Sequence, residues 1–568
     1  LMINLNAEQR ISEAPVVSGE HSTFDRSHGW TGSFNAGKLN CYFIDEMLPG
    51  DVVDLRSSFF CRMTTPFYPV YGDCFIDQYF FGVPLRLVWN QWKEFNGENN
   101  TSAWVGSGPA NVPLIDATLQ HRSTGDLAHQ MGISPRIPNA ATLYGYGYIS
   151  SLPFRSVRLI ENEWFRNQNL QAPKLINFSS SNDTDFTLFD LPDVTRAKDL
   201  FGTLLPGTQK GNAVQIALSG YMNVYPTSDS TKNLNPADST VSTGGILWQS
   251  NLGSNIASGA MIGAAGVSNN GNSGTQNGGS PSNARPIPVN LIADGQHASN
   301  NFGINVNDLR ASIALQRTME RWAYSGSRYI ESIRAFYHII SPDARQQRPE
   351  LLAHRRTHVR MLDVTQSAPQ VVGQTATPLG TVGAYSKTAD NQLAFTASFT
   401  EHEYLIGLFC CRHSRSYSQG VPALFERKVF SDFYLPTLAH IGQVPVRKYR
   451  IFAEDTATPN SGNDILGYAD AWDDGYRYFE SINTGLLDPA AELDASGDPS
   501  GLGAVWTYGD FYKSAPTLSS SWIVEGDAEI KRTLAIQNED QFIADVWFDY
   551  KHTRPMPTHS VPGLMDHF

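Results

Sequence analysis

The chain has 568 residues, 41% of them hydrophobic and 17% charged, which fits a folded globular protein with ample length for a large core. Its formal net charge of −13 excludes a protein whose entire surface coats nucleic acid, though not a local basic patch. No run approaches the ~20 apolar residues that span a bilayer, and the first residues, LMINLNAEQRISEAPVV, lack a basic region followed by an apolar stretch, so no signal peptide is expected and the product should stay where it is made.

The first strand-like segment is FDRSHGWTGSFNAGKLNCYFIDEMLPGD (24–51), closed by a turn at Met47-Leu48-Pro49-Gly50-Asp51. Within it, Gly32 to Leu39 nearly spells a phosphate-binding loop. It lacks the final Ser or Thr hydroxyl and runs into the strand-like Cys41–Asp45, so no helix N-terminus cradles a phosphate. From Phe59 to Phe95, twelve of thirty-seven residues are aromatic, against 11% in the whole chain. Each such side chain hides roughly 150–250 Å². That is more flat surface than enzyme chemistry asks for, and it suits a protein that covers wide areas against itself or its neighbours. The run divides into strands, after which Pro84 opens an expected helix from Leu85 to Phe95. A second helix is expected over Phe154 to Gln171, with Val157, Ile160 and Trp164 on one face.

Residues 227–300 differ in kind, with five charged residues in seventy-four and the tract NNGNSGTQNGGSPSN at 269–283. A structureless loop of this length is uncommon inside a compact domain and is usually functional or disordered. Its apolar middle (244–267) carries Trp248, Leu252, Ile256, Met261 and Ile262, an aggregation hazard on a monomer but a surface that clustering about a symmetry axis would cover. Leu309 to Trp322 reads as a helix capped by Asn307 or Asp308. Its stripe of Ala311, Leu315, Met319 and Trp322 is expected in the core. Arg310, Arg317 and Arg321 line the opposite side, read first as a solvated or subunit-contacting face and second as DNA contacts.

The densest basic stretch runs from Arg345 to Arg360. If it is a strand, Arg356, His358 and Arg360 share one face and Arg355 points away. Phosphate contact with bases stacked on nearby aromatics is one reading, and an inter-subunit patch meeting acidic loops is supported equally. Leu393, Phe395, Ala397 and Phe399 alternate as in a half-buried strand, as do Phe542, Ala544, Val546, Phe548 and Tyr550. His402-Glu403 begins like a zinc-protease motif but has Ile406 where the second ligand would stand. The acidic loop Asp488 to Asp498 lacks calcium-loop spacing and reads as solvated. Five cysteines are too few and scattered for a disulfide framework and read as buried free thiols, with Cys410 and Cys411 on opposite faces of one strand.

Several of these segments carry a family resemblance. YFFGVPLRLVWNQWKEFNGEN (79–99) is similar to the major capsid proteins of the microviruses, small tailless phages with single-stranded DNA, and the gokushovirus branch above all. Further matches follow in order: residues 24–51, RYIESIRAFYHIISPDARQQRPELL (328–352), SFTEHEYLIGLFCCR (398–412), DFYLPTLAHIGQ (432–443) and RPMPTHSVPGLMDHF (554–568). The resemblance implies a mainly β chain, an eight-stranded viral jelly roll (β-sandwich) with large loop and helical insertions, forming one capsid domain over residues 1–568. It implies no enzyme and no cofactor, while leaving open a divalent ion between subunits. It implies a homo-oligomer of roughly sixty copies in a T=1 shell, assembled in the bacterial host cytoplasm around a circular single-stranded DNA genome. An internal scaffolding protein, a DNA pilot protein, a small basic DNA-packaging protein and a host receptor are the implied partners. The 227–300 insertion would form protrusions at the threefold axes, and the Pro-rich tail with Arg554, Pro555, Pro557, Pro562 and Phe568 would be an arm reaching a neighbour. The competing classes are a jelly-roll glycan-binding protein or enzyme, which would need an exposed aromatic platform, and a non-assembling spike protein.

Overall fold

The computed structural model describes residues 21–97, 111–137, 147–212, 214, 224–226, 248–250, 286–288, 291–293, 306–324, 329–338, 346–367, 371–372, 375–376, 379–453 and 464–559. The chain divides into two compact units, Leu1–Thr208 with Ala323–Phe568, and Gln209–Trp322.

The first unit is built on eight long strands: β1 (His28–Phe34), β2 (Leu39–Met47), β3 (Val52–Met63), β4 (Cys74–Pro84), β5 (Glu350–His358), β6 (Thr388–Ser398), β7 (Glu403–His413) and β8 (Phe542–Arg554). One antiparallel sheet has the order β1-β8-β3-β6 and the other β5-β4-β7-β2. A short strand, Ser22–Asp25, continues along β8 beyond β1.

The burial pattern follows the residue pattern. On β8, Phe542, Ala544, Val546, Phe548 and Tyr550 point inward and are fully buried, while Ile543, Asp545, Trp547 and Asp549 between them face out. One wet face and strict alternation is what an antiparallel sheet with a single packed side shows. The second sheet differs, because Leu405 to Cys411 on β7 are all buried. It is covered on both faces.

Between the sheets lies an aromatic core centred on Phe409. Its ring meets Phe34 at 4.8 Å, Tyr42 at 5.2 Å, Phe59 at 5.6 Å and Trp30 at 5.7 Å, all edge to face, the geometry favoured by ring quadrupoles. Gly407 makes room for it. A Cβ there would stand 2.8 Å from Phe43 Cβ and 2.9 Å from the Phe80 ring. The other face of this sheet, with Leu39, Cys41, Phe81, Ile406, Leu408 and Cys410, packs against Trp89, Leu127, Phe189 and helix α1 (Leu152–Ile160). A third cluster, built around Phe201, Tyr417, Ile451 and Leu466, supports the long connection between β7 and β8.

The helices depart most from expectation. Over Leu85 to Phe95 there are only two single turns, Leu85–Leu87 and Trp92–Phe95, and Pro84 is the last residue of β4 rather than the first of a helix. Tertiary contacts break the helix: Trp89 is fully buried with its Nε1 donating to Ser180 Oγ at 2.8 Å, and Asn90 N donates to Phe178 O. α1 starts two residues before Phe154 and gives way to a wide π turn, Glu161–Phe165, so Val157 and Ile160 are buried as expected but the helix stops at Arg166.

In the second unit, α2 (Val306–Tyr324) begins earlier than its predicted caps, placing Asp308 in the first turn, where its charge suits the positive end of the helix. Its apolar stripe is not core. Leu315 is 48% and Trp322 44% exposed, Ala311 is exposed and Met319 half-buried. A stripe reports which face seeks cover, not that the same chain supplies it. Two short antiparallel pairs accompany it, Val224–Pro226 with Leu291–Ala293 and Trp248–Ser250 with Pro286–Pro288.

Candidate nucleic-acid interface

β5 is the edge of the second sheet, and its basic residues split between the two faces as strand geometry requires. Arg355 Nε donates to Asp390 Oδ2 of β6 at 3.1 Å, and Thr357 Oγ1 donates to the same carboxylate, so this face ties one sheet to the other. Arg356 turns the opposite way. Its Nε and one terminal nitrogen grip Asp77 of β4 at 2.7 and 3.0 Å, and its guanidinium lies 4.0 Å from the Phe75 ring centre. His354 stacks on Tyr79 at 4.7 Å and stands 3.4 Å from Asp77, while His358 meets Phe75 edge-on at 6.4 Å. Arg412 of β7 donates to Asp77 as well and to Tyr79 Oη at 3.0 Å.

Asp77 therefore anchors two arginines at the root of this face. Burial opposes its charge, but the hydrogen bonds and charges of Arg356 and Arg412 outweigh it and hold the carboxyl below its ordinary range. Beside these residues opens a cavity of about 600 Å³ whose walls include Phe75, Tyr79, Phe81, Trp164 and Phe165, with Arg356, Arg412, Arg415 and Lys198 as cations and, among the described residues, Asp199 as the one carboxylate. Flat apolar walls beside fixed guanidinium groups can hold a planar ring and an attached anion together.

Asp77, Phe75, Tyr79 and Arg412 were not singled out as site residues from the sequence. The signal was present: Asp77-Gln78 interrupts an otherwise apolar strand, and a carboxylate there must find cations. Arg360 lies just past β5 and is exposed, its backbone N–H donating to Thr388 Oγ1. Arg310 and Arg317 are exposed on α2 and Arg321 is half-buried; all three belong to the second unit. Trp248 lies in the strand Trp248–Ser250, whereas Leu252, Ile256, Met261 and Ile262 fall outside the described residues, as do Pro562 and Phe568. Arg554 does not belong to an arm: it closes β8, and its Nε donates to the buried Asp51 at 3.0 Å. Pro555 is half-buried and Pro557 exposed.

Other charged groups serve the fold. Burial opposes ionisation of Glu525, but Arg415 and His413 hold it at about 2. Asp45 is likewise held at about 2, with hydrogen bonds from His552, Tyr550 and Arg26 overcoming its burial. Glu403, at the start of β7, goes the other way. Burial, then the nearby Glu350 and Glu401, push it up to about 7. Lys38 of the loop-like Gly32–Leu39 segment pairs with Asp193 at 2.5 Å in a turn between two strands. The five cysteines are buried free thiols, and the sulfurs of Cys74 and Cys411 lie 3.3 Å apart.

The sequence matches the model of a protein family described as capsid protein (F protein) over residues 12–564. It is 30% identical to capsid protein VP1 of Chlamydia phage 1, with 98% of each chain covered. Capsid protein VP1 of Bdellovibrio phage phiMH2K is 30% identical, over 99% of this chain and 98% of that one. Capsid protein VP1 of Spiroplasma virus 4 is 31% identical over 99% of both.

Proposed function

The chain belongs to the capsid protein (F protein) family of the microviruses, a structural and not an enzymatic family, and on that premise we propose that it tiles with copies of itself into a closed T=1 shell around a circular single-stranded DNA genome. The observation that carries this reading is the match to phage capsid proteins over nearly all of the chain. The strand orders β1-β8-β3-β6 and β5-β4-β7-β2 support reading the sandwich as an eight-stranded jelly roll.

The mechanism is assembly. Roughly sixty copies bury apolar patches against one another, while polar and arginine-rich rims set register and each contact closes rather than growing openly. An internal scaffolding protein, a DNA pilot protein and a small basic packaging protein assist in the bacterial host cytoplasm. The 227–300 insertion forms protrusions at the threefold axes and contributes to host attachment.

The cavity lined by Arg356 is the place where the genome touches the shell in this reading. A base stacks on the walls formed by Phe75, Tyr79 and Trp164, and its phosphate faces Arg356, Arg412 and Lys198. Arg355 is a structural residue instead, because it points to the opposite face of β5 from the cavity, where Asp390 of the other sheet holds it. The overall test is to express the full chain with its viral partner proteins and examine sedimentation and negative-stain images. Closed particles are expected, and soluble folded protein that never closes would overturn the proposal.

A further inference from the structure

In the long connection between β7 and β8, two segments stand out: residues 422–441, which overlap the DFYLPTLAHIGQ sequence (432–443), and residues 472–487. Large apolar side chains there point outward, with Phe425, Phe430 and Phe479 exposed by 70%, 77% and 72%. Phe433, Tyr434, Tyr476 and Tyr478 are each about half exposed beside them. Taking roughly 200 Å² for each aromatic side chain, these seven rings leave about 800 Å² facing out, against the ~800 Å² that each partner gives to a standard interface. Monomers seldom expose a contiguous apolar patch of more than a few hundred Å².

The two segments form one surface. Tyr434 N donates to Tyr476 Oη at 3.0 Å, Trp472 Nε1 donates to Leu438 O at 2.8 Å, and the Tyr434, Trp472 and Tyr476 rings pack at 5.5 to 6.1 Å. Arg427 lies 3.9 Å above Tyr476. At Gly475 (φ +77) an added Cβ would sit 3.1 Å from both Ala423 Cβ and the Arg427 guanidinium, so the backbones meet closely. Trp472 itself holds φ at +75, a costly conformation for a bulky side chain that the surrounding bonds impose. The patch is thus shaped in advance by polar bonds rather than by apolar cover.

Several charges at its rim already have partners. Arg477 pairs with Asp470 and Asp473 at 2.5 and 2.6 Å, Arg450 bonds Asp474 and Glu480, and Asp432 accepts from the Lys428 and Val429 backbone. These paired charges around exposed rings give the patch the apolar centre and polar border of a protein interface. We propose that this surface, residues 422–441 with 472–487, seats a second copy of this chain. The inference rests on the chain being a self-assembling shell protein, and it names one contact through which assembly proceeds.

The test uses the full chain expressed with its viral partners. F425D/F430D/F479D should keep the far-UV spectrum and melting temperature of the parent while particle yield falls about tenfold or more, the scale of losing hot-spot aromatics from a contact. Parent-like particle yield from the triple variant would overturn the inference. Failure of the unmodified chain to form particles would instead strike the assembly reading beneath it. If the triple variant is insoluble, a photo-crosslinking phenylalanine analogue at Phe430 in otherwise unmodified particles decides. A product of twice the chain mass supports the contact. Crosslinks only to a different viral or host protein overturn it.

Discussion

Cys410 and Cys411 are consecutive residues of β7 whose side chains lie in two different hydrophobic cores. Cys411 joins the aromatic centre between the sheets, and Cys410 joins the layer formed by α1 and the β4–β5 connection. The second sheet is therefore a shared wall. Damage on either side of it is felt by the long connections as well as by the sandwich.

Phe409→Ala removes the ring that Phe34, Tyr42, Phe59 and Trp30 surround. Deleting a buried Phe of this kind costs about 3–5 kcal/mol. The expected result is a large drop in melting temperature and in soluble yield, read by thermal denaturation of the purified chain.

Glu403 makes stability depend on pH near neutrality. Its folded carboxyl is pushed up to about 7, above the ~4.3 of an unfolded Glu, so the folded state holds its proton longer. Stability is then lost as pH rises from about 4.3 through 7, and the full penalty stands above 7. Glu403→Gln should stabilise by up to about 3 kcal/mol at pH 8 and have little effect at pH 4. Denaturant midpoints at the two pH values check this, and equal shifts at both would contradict it.

Neighbouring arginines should separate by readout. Arg356→Ala weakens single-stranded DNA binding by the purified chain and lowers the order of packaged DNA, because it removes a cation facing the cavity. The slope of affinity against salt should fall by about 0.7, the single-strand value for one phosphate contact. Arg355→Ala leaves DNA order unchanged and costs at most about 1 kcal/mol of stability, since its pair with Asp390 is partly exposed. Oligonucleotide titrations at several salt concentrations distinguish the two.

Removing residues 555–568 should preserve the fold and block assembly, because β8 and its last residue stay intact. Ending the chain one residue earlier also removes Arg554 from the buried Asp51, which among the described residues keeps the His552 ring and the Leu48 backbone N–H. The second truncation should therefore melt lower than the first. Normal particle yield from the first would dismiss the arm.

Deleting 244–267 should leave the β-sandwich melting as before while host attachment or particle stability changes. Loss of soluble folded protein would instead make this tract part of the core.

Much of the sandwich was legible in the sequence. β8 announces itself by alternation, because one face meets the core and the other water. The unbroken apolar run of β7 announces burial on both sides, though not what covers the second side. The failed helix at Leu85 shows the limit of local reasoning: Trp89 and Asn90 are held by Ser180 and Phe178, about ninety residues away. The basic stretch was visible, but the division of labour between Arg355 and Arg356 depends on Asp390 and Asp77, which lie on other strands. Spacing along β5 predicts opposite faces and cannot supply those partners. The outward aromatics at 422–441 and 472–487 drew no reading of their own from the sequence, since composition does not say which side of a surface a ring occupies.

The last long strand fills the slot between the first and the third. Gly32 of β1 pairs with Ala544 of β8, which on its other edge pairs with Cys61 of β3. A chain still leaving the ribosome holds β1 and β3 with a gap between them, each presenting bare amide and carbonyl groups to any other strand nearby. The sandwich closes only after β8 has emerged, across a loop of about five hundred residues, and such distant pairing is slow and prone to misassociation. Closure of the sandwich is thus timed by β8, and until then each nascent chain must be kept apart from its siblings.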